Sequence, residues 1–84
     1  MTSREKTLAR MRQNPRDWHI DDLETIAAAH GIGVSKSGGS HVVFEHAASP
    51  MALSVPAKRK IKPIYVRRFV ELLDIVIEQD KAKQ

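Results

Sequence analysis

Eighty-four residues allow one domain with a small core, since a chain of this length hides only about 60–65% of the surface its unfolded form exposes. There is no cysteine, which excludes disulfides and thiolate metal sites, and no apolar run approaches the roughly 18–20 residues needed to cross a bilayer. Fourteen Lys and Arg against ten Asp and Glu leave a net charge of +4, a balance suited to a polyanionic partner.

That excess is unevenly placed. Residues 1–19 carry five basic and two acidic side chains and residues 32–60 carry four and one, whereas residues 20–31 carry three acids and no Lys or Arg. The opening Met1-Thr2-Ser3-Arg4-Glu5-Lys6 is charged and unlike a signal peptide, so the expected compartment is the cytoplasm, with no membrane partner.

Thr2 to Gln13 reads as a short helix, with Thr2 and Glu5 at capping-box spacing and Leu8 and Met11 as its apolar stripe. Asn14-Pro15 stops it, because the residue before proline is biased away from helical dihedrals. Trp18 and Ile20 follow in a connector that covers a core edge. A second helix is predicted over 22–30, capped by Asp21 with Glu24 three residues on, its face made of Leu23, Ile26, Ala27 and His30. Gly31 stands where a helix ends in the left-handed conformation.

Three strands are predicted next, over 32–36, 40–46 and 51–55, joined by Ser37-Gly38-Gly39 and by Ala47-Ala48-Ser49-Pro50. Side chains alternate along a strand, so Val42, Phe44 and His46 face one way and His41, Val43 and Glu45 the other. Phe44 and Val42 make the better core face, which leaves His41 on the open face beside Glu45. Pro63 suits the first position of a last helix running to about Gln79, with Val66, Phe69, Val70, Leu73, Val76 and Ile77 toward the sheet. Tyr65, Leu72 and Ile75 form a second stripe, open to the first helix or to a partner; residues 80–84 are expected to fray.

The predicted order is α-α-β-β-β-α, an α+β fold with a three-stranded antiparallel sheet and its helices on one face. Its α-β-β-β-α part is the order of a double-stranded-RNA-binding domain. Residues 1–19 are then an extension and connector, residues 20–79 the domain proper, and residues 80–84 the tail.

The helix ending in Gly31, the Gly-Ser-His at 39–41, the Leu-Ser-Val-Pro at 53–56 and the closing amphipathic helix resemble HicA-type toxins. The resemblance implies a small mRNA interferase with the double-stranded-RNA-binding-domain-like fold, the toxin of a type II toxin–antitoxin pair. It implies His41 as the catalytic residue and a HicB-type antitoxin as the partner that blocks the active surface. Many members of that family place a basic residue and a second histidine after the Val-Pro; here Ala57 and Lys58-Arg59-Lys60 stand there, so only a cationic role carries over.

Cleaving RNA without metal needs a base for the 2′-hydroxyl proton, an acid for the leaving 5′-oxygen, and donors for the charge developing on phosphorus. Histidine, with an unperturbed pKa of about 6.5, suits either proton transfer, and His41 is the candidate for one of the two. Backbone N–H groups of Gly38, Gly39 and Ser40 suit an anion-binding concavity. Lys36, Lys58, Arg59 and Lys60 suit neighbouring phosphates, although such basic side chains are more often plain solvated charge. Glu45 is the candidate to orient His41.

His19, His30 and His46 are adequately explained by capping or packing, and Trp18 and Tyr65 by packing rather than base stacking. Histidines at 19, 30, 41 and 46 match no zinc spacing, so no metal or other cofactor is expected. Two other readings remain open: a non-catalytic RNA-binding module acting through Lys58, Arg59 and Lys60, and an interaction domain using the Tyr65, Leu72 and Ile75 stripe.

Overall fold

The connector between the first two helices is tied down at Trp18 and His19, and those ties set where the second helix begins. In the computed structural model, which describes residues 3–37, 39–57 and 60–82, α1 spans Ser3–Gln13 and α2 spans Ile20–Ala29. His19, not Asp21, is the N-cap: its backbone N–H donates to the Asp22 carboxylate at 3.0 Å, and it forms an isolated antiparallel bridge with Lys60. Holding His19 extended beside Lys60 starts the helix two residues ahead of the predicted 22. Asp21 instead lies within the helix, where its carbonyl accepts the Thr25 hydroxyl. The capping box read at Thr2 and Glu5 falls outside the described residues.

At its other end α2 closes as predicted. Gly31 sits at φ 72°, its N–H reaching Ala28 O at 3.4 Å while Ile32 N–H reaches Ala27 O at 2.9 Å. This paired closure uses the helix's orphan carbonyls and turns buried Ile32 inward, leading directly into the sheet.

The strands are β1 (Gly33–Ser37), β2 (His41–Glu45) and β3 (Leu53–Pro56), in the antiparallel order β1-β2-β3. In register, Val34 faces Phe44 and Lys36 faces Val42 on one side, with Leu53 and Val55 opposite Phe44 and Val42 on the other. The third strand starts two residues later than the predicted 51. Ser49 folds back on Met51 through its hydroxyl, and Met51 is left exposed. His46 lies beyond β2, half-buried, where its Nδ1 accepts the Ala48 N–H at 2.9 Å and caps the turn.

Helix α3 spans Pro63–Ala82, a turn longer than predicted, so residues 80–82 are helical rather than frayed. Its apolar positions Val66, Phe69, Leu73 and Val76 are fully buried, together with Leu23 and Ala27 of α2 and Phe44 and Val55 of the sheet. Phe44 meets Phe69 edge to face at a centroid distance of 5.0 Å, the contact that locks β2 to α3. Thus α2 and α3 cover one face of the sheet. Helix α1 packs on α3, burying Met11 and pairing Arg12 with Asp74. Of the second α3 stripe, Leu72 is buried, Tyr65 half-buried and Ile75 exposed. No helix among the described residues is long and apolar enough to cross a membrane.

Candidate functional site

The uncovered face of the sheet is built from small and polar side chains. Ser35, Val43 and Ser54 stand opposite one another across the three strands, and of these Val43 alone is half-buried. His41 occupies the next row toward the β1–β2 turn, between Ser37 and Pro56 in register, and is exposed. Because Phe44 and Val42 must face the helices, strict alternation delivers His41 to the open side.

Two local contacts hold that end of β2. Gly39 adopts φ 77°, a conformation an L side chain rarely takes, which closes the turn just ahead of Ser40. The Ser40 carbonyl then accepts the Ala57 N–H at 3.0 Å, so the segment leaving β3 is pinned beside His41. The His41 ring has Nδ1 at 3.3 Å from Ser40 Oγ, and Nε2 has no hydrogen-bond partner among the described residues. An imidazole held at one nitrogen and open at the other can exchange a proton with a bound substrate.

The other predicted site residues separate. Ser40 adjoins His41, and Gly39 adjoins Ser40 in the same turn. Gly38, Lys58 and Arg59 lie outside the described residues. Glu45 shares the face of His41 but stands four residues along the strand, about 13 Å away at the usual rise, too far to orient it. Lys36 belongs to the helix side: it pairs with Val42 in register, and its Nζ lies 2.9 Å from Glu24 of α2. Glu24 raises the Lys36 pKa above the ordinary lysine value through that hydrogen bond and its charge. Lys36 is therefore a strap between α2 and the sheet rather than a phosphate ligand beside His41.

Lys60 is engaged differently. Its Nζ lies 2.9 Å from Asp17, and the bond holds the Asp17 carboxyl below the usual carboxylate range. Trp18 is buried and donates its indole N–H to Asn14 O at 2.7 Å, so it packs and does not offer a stacking face. The guanidinium of Arg10 lies 5.6 Å from the Trp18 ring centroid.

Around this connector run clefts that the sequence reading passed over. One is lined by Pro56, Lys60, Lys62 and Tyr65, a second by Arg16, Asp17, Lys60 and Lys62, and a third by Arg10, Arg16, Asp17 and Trp18. The basic excess of residues 1–19 was the available signal, but nothing local pointed to Lys60 and Lys62 as its neighbours. Among the described residues, no three His, Asp or Glu side chains stand close enough to hold a metal ion. No family model matches the chain, and no curated protein or solved structure matches it either.

Proposed function

We propose that this chain is a metal-independent mRNA-cleaving endoribonuclease of the HicA kind, a toxin that inhibits translation and is neutralised by a HicB-type antitoxin in the cytoplasm. The observation that carries the reading is His41: exposed on the open sheet face, steadied at Nδ1 by Ser40, and without a hydrogen-bond partner at Nε2 among the described residues. The α-β-β-β-α order of the described elements suits the double-stranded-RNA-binding-domain-like fold that the reading requires.

In the reaction the substrate's 2′-oxygen bonds to phosphorus while the bond to the 5′-oxygen breaks, leaving a 2′,3′-cyclic phosphate and a 5′-hydroxyl. His41 supplies one of the two proton transfers, taking the 2′-hydroxyl proton or giving one to the departing 5′-oxygen. Backbone N–H groups of the Gly39-Ser40 turn donate to the phosphate, and Lys58 and Arg59, next after Ala57 in the sequence, supply it with positive charge. The antitoxin covers this face and keeps RNA from His41.

His41→Ala should lower cleavage of single-stranded RNA by about 10²–10⁴-fold and abolish growth arrest, with an unchanged melting curve. Undiminished cleavage by the folded variant would sink the assignment. One observation favours a second reading, a non-catalytic RNA-binding module: Glu45, the only carboxylate on the described part of the His41 strand, is out of its reach. That module would bind RNA and leave it intact, with His41 dispensable.

A further inference from the structure

The three clefts around the connector share their walls. Lys60 and Lys62 line both the first and the second, and Arg16 and Asp17 line both the second and the third. They adjoin one another from Pro56, the cross-strand partner of His41, to Arg10 on α1, and are treated together as one groove. Four cations border it: Lys62, Lys60, Arg16 and Arg10.

The acids in its lining are already committed. The Asp17 carboxylate is held by Lys60, and the Asp22 carboxylate takes the His19 N–H. Among the described residues Arg10, Arg16 and Lys62 make no ion pair. Among the described residues the lining carries Arg10, Arg16, Lys60 and Lys62 against Asp17 and Asp22, a surplus of positive charge.

Its walls are also set in advance. Arg10 rests against the Trp18 ring, the Arg16 N–H donates to Asn14 Oδ1 at 3.1 Å, and the Ile61 N–H donates to Trp18 O at 2.9 Å. Asp17 takes φ 64° between them, a backbone conformation rare outside glycine and held only where its surroundings demand it. A turn held at that cost places Arg16 on the groove wall while Trp18 enters the core.

We infer that this groove, formed by α1, the connector and residues 60–62, binds the phosphate backbone of single-stranded RNA that runs on from His41. The identity of the polyanion rests on the ribonuclease reading; the groove itself does not. It makes residues 1–19 an RNA-holding arm, with phosphates lying along Lys62, Arg16 and Arg10, Lys60 being held by Asp17, and no base read.

The test uses a fluorescent 2′-O-methyl dodecanucleotide, which lacks the attacking hydroxyl, and a matching trinucleotide, with binding followed by anisotropy over a range of salt. Arg10→Glu/Arg16→Glu should weaken dodecanucleotide binding about tenfold or more and flatten its salt slope by about 1.4, while leaving the melting curve and trinucleotide binding unchanged. A control with the same charge change off the groove, Arg68→Glu/Lys81→Glu, should have a much smaller effect. Equal losses in the two double variants, full binding by Arg10→Glu/Arg16→Glu, or no binding by the parent chain would each overturn the groove. Cleavage of unmodified RNA is scored separately: a parent that binds through the groove but cuts nothing overturns the ribonuclease reading and leaves the groove standing.

Discussion

The His41 end of the sheet and the Arg16–Lys60 groove are neighbours built on opposite principles. His41 is a single titratable group on a regular strand, and its placement follows from alternation against a buried Phe44. Among the described residues the groove is lined by Arg10, Arg16, Lys60 and Lys62, and its shape follows from an irregular connector pinned by Trp18, His19 and Asp17. One region offers an imidazole suited to proton transfer, and the other offers positive charge suited to a polyanion. Rate and affinity should therefore respond to different substitutions.

The largest effect should come from removing the anchor that both regions share. Phe44→Ala deletes a fully buried ring packed on Phe69 and should cost about 3–5 kcal/mol, enough to unfold much of a domain this small. Chemical denaturation will show it, and a loss below 1 kcal/mol would mean that β2 is not locked to α3 as described. Next comes His41→Ala, which should strike cleavage alone and leave groove binding intact.

Gly39→Ala should be intermediate. A methyl group there meets no atom within 4 Å, so its cost is the left-handed backbone alone, about 1–2 kcal/mol. Denaturation should register that cost, and cleavage should fall beyond it because the turn aims His41; unchanged cleavage would show that the turn does not position the imidazole.

Asp17→Asn should have the smallest effect, since asparagine keeps the tolerance for positive φ and loses only the charge. The Asp17 carboxyl is held low by Lys60, so its contribution is complete above the unfolded value near 3.9 and drains away as pH falls through the lower folded value. The variant should melt slightly earlier than the parent at neutral pH and converge with it as pH falls through the lowered Asp17 value. Melting curves across that range check the sign.

Much of the sheet was legible in the residues. The alternation of Val42, Phe44 and their neighbours, the left-handed Gly31 and the helix start at Pro63 are local signals, each set by sterics within a few residues. Two of the misreadings share a cause, a contact made from far along the chain. Asp21 looked like a cap, but the bridge between His19 and Lys60 outbid it from forty-one positions away in the chain. Lys36 looked like a phosphate ligand until the packing of α2 on β1 brought Glu24 to its ammonium group. Glu45 shared the His41 face, and only the rise of the strand removed it from reach.

Alone, the sequence indicated the element order and the core face of β2, because Phe44 and Val42 share one face by the two-residue period of a strand; with Val43 apolar on the other face, the exposure of His41 was settled by packing. Tertiary structure decided which charges are free and which are spent. That depends on contacts between residues far apart in the chain, Lys36 with Glu24 and Lys60 with Asp17, and no periodicity encodes such distances.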